Sequence, residues 1–402
     1  MSRKTLKALF HMGAKEYKQE YEHRFNDEDT VRLPVTIGEN QAFICQIPEL
    51  YKLIIDIERL DKEVSELSNT LPPIALKQFT TKSLIDEILL TNDIEGVHST
   101  RKEIGEILQD LSSQNKRNRF VGLVSKYVML QQKQEILFNN CRDIRKIYDD
   151  IFYDEVKATD PSNLPDGEIF RRSGVEVHSA SQKVIHRGLS PESKIIEAVE
   201  QSLMILNNKD LDIFFRIAVF HYLFGYIHPF YDGNGRTSRF ISSYLLSRQL
   251  TPLIGFRLSY TIKENKSKYY KAFEVCNDSR NKGELTPFVE MFLGIVKESM
   301  KQLIETLEDK KASWDHYYQI INRFPNAEKA DMNYLYDLLI QAALFSNIGI
   351  SRNELTECLH LSENTLRKKL SLIPEQLLIE NRQKGKKYYL LDLEQADKLV
   401  DE

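Results

Sequence analysis

The sequence predicts a mainly α-helical protein. Only 12 prolines and 16 glycines interrupt its 402 residues. Between these interruptions apolar residues recur at three- and four-residue spacing, as at Leu50, Leu53, Ile54, Ile57 and Leu60. That spacing is the period of an amphipathic helix. Three segments break the pattern and divide the chain.

The composition limits the classes of protein to which this chain can belong. The chain has 59 acidic and 55 basic residues, a formal charge of −4, and 42% hydrophobic residues. This length predicts two or three domains, and the apolar content is sufficient for folded cores. The nearly neutral charge excludes a protein that binds polyanions over its whole surface, but it leaves room for a local basic patch.

Cysteines and apolar runs indicate the compartment. Cys45, Cys141, Cys276 and Cys358 lie far apart without metal-ligand spacing, so we expect reduced core residues. The first 20 residues are charged throughout, which is unlike a signal peptide. The longest apolar run, residues 217–227, is too short to cross a bilayer. We therefore expect a cytoplasmic protein that does not contact membranes.

The first break is Leu71-Pro72-Pro73. It ends an N-terminal helical region, for which we assign residues 1–110, and it precedes a helix from about Thr81 to Leu90. The second break covers Pro161 to Leu189. Within it, residues 174–188 form two short alternating runs around Ser179-Ala180-Ser181, a pattern that predicts a β-hairpin.

The third break is the charged stretch Glu308 to Ala312, and residues 313–402 are predicted to form a separate domain. An apolar helix covers residues 334–345. Ser351, with Glu354 three residues later, and Ser362 are suited to cap two short helices. Strands at 377–380 and 387–391 then flank a basic turn at 382–386. The order helix, helix, helix, hairpin predicts a winged helix-turn-helix.

The segment IHPFYDGNGRTSRF, residues 227–240, concentrates groups that handle phosphate. It follows an apolar stretch, 211–227, that predicts a buried helix ended by His228-Pro229. The Gly233-Asn234-Gly235 turn can bring backbone N–H groups close to an anion, and a helix that starts near Asn234 would aim its positive end at the same point.

Charged side chains complete this site. Arg236 and Arg239 share a helix face and can bind phosphate oxygens. Asp232 offers a hard oxygen for Mg²⁺, and His228 can act as a general base. A single Asn-Gly turn or a single histidine is usually structural, but the combination favours phosphoryl or nucleotidyl transfer.

Residues 228–239, HPFYDGNGRTSR, match the signature HxFx(D/E)GNGRxxR of the Fic family without departure. The resemblance implies a helical core, which we place at 111–308, and transfer of AMP from ATP to a hydroxyl group of a target protein. It implies that His228 deprotonates the target and that Asp232 holds Mg²⁺. It also implies an anion hole at Gly233-Asn234-Gly235. The nucleotide-binding residues would be Gly233, Asn234, Gly235, Arg236, Thr237, Ser238 and Arg239, with both arginines on the triphosphate.

A second family element lies upstream. Residues 91–96, TNDIEG, fit the inhibitory pattern (S/T)xxxE(G/N). In the family this pattern lies on a helix beside the nucleotide, here placed at about 81–96. The resemblance implies that Glu95 pairs with Arg239 and keeps the γ-phosphate away from it. A charge-assisted pair of this kind competes directly with a phosphate for one guanidinium group.

Two further features resemble family elements. The hairpin at 174–188 occupies the position of the flap, where the target protein would add a strand, although it could also be a plain surface hairpin. Tyr269, Tyr270 and Asn277 lie where related members enclose adenosine. Tyrosine pairs on a helix are also common in hydrophobic cores.

Other functions stay open. Residues 362–392 carry a net charge of +3, from seven basic and four acidic residues. A DNA-binding transcriptional regulator whose core senses nucleotide is therefore an alternative, as are protein-interaction and dimerisation roles for this domain. Within the family, another donor nucleotide or removal of AMP is also compatible with the motif. The sequence leaves a homodimer open.

Overall fold

The computed structural model describes residues 3–111, 118–178 and 184–401. It confirms the mainly α-helical class. One compact unit comprises Met1–Asp61 with Glu87–Met300, and a second comprises Lys62–Asp86 with Lys301–Glu402. These units differ from the predicted division into 1–110, 111–308 and 313–402, because residues 62–86 group with the C-terminal part of the chain. The division by function stays a prediction.

Helices form most of the chain before the C-terminal domain. In chain order they are α1 (Leu6–Phe10), α2 (Ala14–Asn26), α3 (Pro48–Thr70), α4 (Pro73–Ile94), α5 (Arg101–Asp110), α6 (Val121–Gln131), α7 (Cys141–Thr159), α8 (Glu192–Asn207), α9 (Ile213–Ile227), α10 (Asn234–Gln249), α11 (Leu258–Glu264), α12 (Lys266–Asn277) and α13 (Thr286–Ile320). Two hairpins interrupt them, β1 (Thr30–Ile37) with β2 (Asn40–Cys45) and β3 (Glu176–His178) with β4 (Val184–Arg187).

The first hairpin corrects the prediction that residues 1–110 are helical. Strands β1 and β2 pair antiparallel, with Thr30 opposite Cys45 and Ile37 opposite Asn40. Leu33, Val35 and Ile37 are buried while the residues between them are exposed. This alternation with period two is the pattern of a half-buried strand, and it overrides the helical pattern around it.

The break between α3 and α4 is confirmed. Helix α3 ends at Thr70, and Pro73 is the first residue of α4, the helical position at which the missing N–H of proline costs least. The predicted inhibitory helix, about 81–96, begins earlier than expected and ends at Ile94. Glu95 and Gly96 therefore lie in the turn that follows α4, where Gly96 has a φ of +73°.

Helix α9 forms the centre of the first unit. Asp212 caps it by accepting a hydrogen bond from the N–H of Phe214, and its other end is His228, in the left-handed conformation. Gly233, with a φ of +79°, precedes the first turn of α10. The predicted order of buried helix, glycine turn and helix is thus confirmed.

The second hairpin follows the predicted runs. Strand β3 pairs antiparallel with β4, with Glu176 opposite Arg187 and Val177 opposite His186. The predicted turn, Ser179-Ala180-Ser181, lies outside the described residues. A backbone hydrogen bond of 3.0 Å from Leu189 to the carbonyl of Ile227 holds the chain after β4 beside the end of α9.

The predicted break at Glu308 to Ala312 is wrong, because α13 continues through it to Ile320. The stretch contains neither proline nor glycine, and charged residues such as lysine and glutamate are good helix formers. On its inner side Leu303 and Leu307 are fully buried. A charged sequence on the exposed face of a long helix therefore resembled a boundary.

The C-terminal elements follow the predicted order, with one further helix at the end. They are α14 (Met332–Phe345), β5 (Ile350–Ser351), α15 (Arg352–Leu359), α16 (Glu363–Leu370), β6 (Leu378–Gln383), β7 (Lys386–Leu391) and α17 (Leu393–Asp401). The strands form one sheet in the order β5-β7-β6. Ser351 and Glu354 form the predicted capping box, and Ser362 caps α16. The winged helix-turn-helix class stays a prediction.

Several basic side chains of this domain form ion pairs within it. Glu380 pairs with Lys387 at 2.7 Å and with Arg382 at 3.1 Å, and Asp331 pairs with Lys369 at 3.2 Å. DNA binding stays a prediction, and these pairs weaken the charge argument for it.

Two predictions concern the whole chain. The four cysteines are free thiols, of which all but Cys358 are buried. Across residues 3–111, 118–178 and 184–401, none of the helices combines the length and apolarity that a membrane span needs.

Candidate functional site

A cavity of about 1060 Å³ lies in the first compact unit. It is bounded by the end of α4, the β3–β4 hairpin, the end of α9, the start of α10 and helix α12. Its lining includes most of the predicted site residues, namely Glu95, His228, Asn234, Gly235, Ser238, Arg239, Tyr269, Tyr270 and Asn277. Residues far apart in sequence are therefore brought to one concave surface.

His228 lies where α9 ends. Its Nδ1 is 3.3 Å from the carbonyl oxygen of Gly225, so a proton on Nδ1 would be donated there and would leave the lone pair of Nε2 free. Burial lowers the pKa of His228 to about 4, against a smaller opposing effect of the Gly225 hydrogen bond. The imidazole is therefore neutral at physiological pH and can accept a proton.

The turn before α10 is held by the side chain of Asn234. This buried amide accepts a hydrogen bond from the N–H of Phe230 at 3.0 Å and donates one to the Phe230 carbonyl at 2.7 Å. The carboxylate of Glu95 lies directly over Gly235, because a Cβ on that glycine would be 2.0 Å from Glu95 Oε1. Glu95 thus lies beside the first turn of α10, next to the glycine turn at which the sequence predicts an anion hole.

Arg239 is 1% exposed and is held by the end of α4. Its Nε donates to Thr91 Oγ1 at 2.8 Å, and its Nη2 donates to the Thr91 carbonyl at 2.9 Å. Its Nη2 also lies 2.8 Å from Glu95 Oε1. Burial alone would raise the pKa of Glu95, but the charge and hydrogen bond of Arg239 hold it below its usual value. Glu95 is therefore ionised when it pairs with Arg239.

Arg236 and Thr237 were predicted to bind nucleotide, but the structure does not place them among the residues that line the cavity. Arg236 is fully buried, with Nη1 2.6 Å from Glu155 Oε1 and its guanidinium 4.4 Å from the ring centroid of Phe152. The hydroxyl of Thr237 donates to the carbonyl of Gly233 at 2.8 Å. Both side chains serve the packing of α10 in the described state.

Asp232 is the predicted metal ligand, and its side chain is 50% exposed. Oδ1 accepts a hydrogen bond from the N–H of Gly233 at 2.6 Å, and Oδ2 lies 3.7 Å from Arg236 Nη2. The described part of the chain holds no group of three or more His, Cys, Asp or Glu side chains suited to a metal. A single exposed carboxylate still fits Mg²⁺, which commonly takes one or two carboxylates together with phosphate oxygens and water.

The residues predicted to enclose adenosine line the cavity from helix α12. The hydroxyl of Tyr269 is 2.7 Å from Nε2 of His221, and Asn277 accepts a hydrogen bond of 2.7 Å from the buried Tyr222. Tyr270 is 37% exposed. The aromatic pair is thus divided, with one ring anchored in the core and the other open to the cavity.

Two residues that contribute to the site, Glu155 and Lys266, are not among those predicted from the sequence. Glu155 lies on the apolar face of α7, and only its place among Ile151, Phe152 and Val156 could have marked it. Lys266 lines the cavity and donates to the carbonyl of Ile94, the last residue of α4, at 3.2 Å. No spacing in the sequence marks either residue, because each contact joins helices that are far apart in the chain.

Comparisons with known proteins find relatives that match the part of the chain containing the motif. Residues 138–246 match the Fic/DOC family, and this range includes the motif at 228–239. The protein adenylyltransferase Fic of Aedes aegypti is 29% identical over 254 residues, which are 60% of this chain and 46% of that protein. The protein of the same name from Drosophila ananassae is 28% identical over 235 residues, 56% of this chain and 43% of that protein.

A solved structure gives the same fold over a longer range. A Fic family protein from Desulfovibrio desulfuricans superposes with a TM-score of 0.53 and 20% identity, covering 90% of this chain and 98% of that one. The chain spans less than half the length of the two insect relatives that it matches. Residues 138–246 therefore resemble the Fic/DOC family, and the cavity is lined by the motif that lies within this range.

Proposed function

We propose that the protein is an autoinhibited protein adenylyltransferase, which transfers AMP from ATP to a Ser, Thr or Tyr hydroxyl of a target protein. The observation that carries the proposal is the Glu95 carboxylate, which lies over Gly235 and on Arg239 inside the cavity that His228 lines. A carboxylate at the N-terminus of a helix and on an arginine occupies a position suited to a phosphate group.

The transfer step follows from His228. Nε2 accepts the proton of the target hydroxyl as the hydroxyl oxygen bonds to the α-phosphorus of ATP. The bond from that phosphorus to the bridging oxygen breaks, and the electron pair leaves with pyrophosphate. The backbone N–H groups at the start of α10 face the developing negative charge. Mg²⁺ bound by Asp232 and the phosphates would neutralise part of the charge of the triphosphate.

Autoinhibition follows from competition for Arg239. While Glu95 is paired at 2.8 Å, a γ-phosphate cannot reach the same guanidinium nitrogen. The hydroxyl and carbonyl of Thr91 accept hydrogen bonds from Nε and Nη2 of Arg239, and these two contacts orient the guanidinium group towards Glu95. ATP would then bind in a position from which the transfer step does not proceed, until the end of α4 moves.

The proposal is tested with the purified protein, Mg²⁺ and α-labelled ATP. We expect weak labelling of the protein itself and at least about tenfold more in Glu95→Ala, because loss of one charge-assisted contact is about 1.5–3 kcal/mol. Asp93→Ala is the matched control, since Asp93 is 58% exposed on the same helix end and pairs with Lys263 instead. It should label as weakly as the parent.

Two results would count against the proposal. Labelling that persists in the double variant Glu95→Ala, His228→Ala would remove His228 as the base. An absence of labelling from Glu95→Ala, with ATP bound and the fold intact, would favour a domain that only senses nucleotide.

A further inference from the structure

Arg236 lies near two carboxylates, one at hydrogen-bonding distance and the other farther away. Glu155 Oε1 is 2.6 Å from Nη1, whereas Asp232 Oδ2 is 3.7 Å from Nη2. The second distance exceeds a hydrogen bond, and Nε and Nη2 of Arg236 are buried without a hydrogen-bond partner. Arg236 therefore has unused donors on the side that faces Asp232.

We propose that Glu155 is a positioning residue that holds Arg236 away from Asp232 and so leaves Asp232 free to bind a divalent cation. The inference rests on the proposed function, which assigns the cation of the reaction to Asp232. Glu155 does not line the cavity and acts only through Arg236.

The geometry explains why Glu155 retains the guanidinium. The side chains of Glu155 and Arg236 are 6% and 0% exposed, and the ring of Phe152 stacks on the guanidinium from the same helix, α7. Charge attraction is strong in such a buried position. The Asp232 side chain is half in water, where the same attraction is screened.

As a consequence, one carboxylate oxygen of Asp232 lacks a hydrogen bond from Arg236. Oδ1 is fixed by the N–H of Gly233, which orients the carboxylate. Oδ2 has no partner closer than the 3.7 Å contact to Arg236 among the described ion pairs. An anionic oxygen with a fixed direction and partial exposure suits a hard cation that also binds phosphates.

Removal of the Glu155 charge should reverse this arrangement. A buried guanidinium without a counter-charge is costly, and Asp232 is the next carboxylate within reach. Arg236 would then close onto Asp232 and compete with the cation. Residues that orient a metal ligand from behind typically change metal affinity by about 10–100-fold when they are substituted.

The experiment measures cation binding rather than transfer. Mn²⁺ is added to the full chain carrying Glu95→Ala, in the presence of ADP, and free Mn²⁺ is read from its electron paramagnetic resonance signal. We expect Glu155→Gln to weaken Mn²⁺ binding about tenfold and to leave ADP binding in EDTA unchanged. The double variant Glu155→Gln, Arg236→Gln should restore Mn²⁺ binding to within about twofold, because the competing guanidinium is gone.

Controls separate positioning from loss of structure. Asp154→Asn removes the neighbouring, exposed carboxylate of α7 and should bind Mn²⁺ like the parent. Asp232→Asn should abolish the Mn²⁺ site. The inference is overturned if Glu155→Gln binds Mn²⁺ as tightly as the parent, if the double variant stays as weak as the single one, or if Asp232→Asn changes nothing. If these binding results hold while Glu95→Ala transfers no AMP, the proposed function fails and the role of Glu155 stands.

Discussion

The two arginines of α10 lie three residues apart, and each meets a carboxylate from another helix in a different environment. Arg236 meets Glu155 from α7 in the sealed interior, whereas Arg239 meets Glu95 from the end of α4 beside the cavity. Both guanidinium groups are buried. Only the carboxylates differ, since Glu155 is 6% exposed and Glu95 is 32% exposed.

This difference separates a structural pair from a removable one. To break the Glu155 pair, a charge must be left in the interior, which costs several kcal/mol. Glu95 can move into the cavity and be hydrated, and Thr91 remains bound to Arg239 when it does so. The same kind of ion pair is therefore fixed in the interior at Arg236, and at Arg239 it is the pair to which the proposed function assigns regulation.

The comparison is tested most strongly by removal of each carboxylate. Glu155→Ala removes the close counter-charge of buried Arg236, and the half-exposed Asp232 replaces it only in part, so we expect a loss of about 3 kcal/mol in the free energy of unfolding. Glu95→Ala exposes Arg239 to the cavity and should cost less than about 1 kcal/mol. Urea denaturation of both variants measures the difference, and equal losses would show that the two pairs are not distinct.

The pH dependence of stability should have opposite sign for the two carboxylates. Burial raises the pKa of Glu155 above its usual 4.5, and Arg236 offsets this only in part. The native state then keeps a proton that the unfolded state has lost, so stability falls as the pH rises from about 4.5 through the native pKa. Glu95 has a native pKa below 4.5, so its contribution is complete above 4.5 and is lost as the pH falls through the native value.

Isosteric amides isolate these contributions. In the parent, the unfolding free energy should fall as the pH rises above 4.5 because Glu155 ionises, and Glu155→Gln should remove this decrease. It should rise as the pH approaches 4.5 from below because Glu95 ionises, and Glu95→Gln should remove this increase. Denaturation midpoints from pH 3 to pH 8 provide the measurement. Slopes that change in the same pH range for both variants would contradict the assignment.

Much of the site can be predicted from local sequence, and the two arginine pairs show which contacts cannot. The motif at 228–239 is contiguous, so the end of α9, the glycine turn and the start of α10 could all be predicted. Thr91 and Glu95 were found because their spacing is a family pattern. Glu155 was not found, because its contact with Arg236 depends on how α7 packs against α10, which no spacing encodes.

The predictions that were wrong have two causes, packing between distant elements and local patterns. Arg236 and Arg239 share a helix face, so spacing predicted one role for both, but the helices packed against them gave each a different partner. In β1, alternation at Leu33, Val35 and Ile37 was readable and was masked by the helical pattern on either side. At residues 308–312, the run of charged residues suggests a boundary, although nothing in the stretch ends a helix.

The smallest expected effect is a coupling between Gly235 and Glu95. A methyl group at Gly235 would lie 2.0 Å from Glu95 Oε1 and 3.0 Å from Arg239 Nη1. The carboxylate is the end of a flexible side chain, so it should move, and the pair with Arg239 should weaken. In the parent, Gly235→Ala should therefore cost up to about 1 kcal/mol in the free energy of unfolding.

In the Glu95→Ala background the 2.0 Å obstruction is gone, and the remaining 3.0 Å contact is to the end of a long side chain, Arg239 Nη1. Alanine is favoured over glycine inside a helix by about 0.5–1 kcal/mol. The sign of the Gly235→Ala effect should then reverse. Gly233→Ala is the control, because its φ of +79° strains any side chain in both backgrounds equally. A double-mutant cycle of unfolding free energies gives the coupling. An equal effect of Gly235→Ala in both backgrounds would mean that Glu95 does not rest on the start of α10, and the distinction between the two arginine pairs would lose its geometric basis.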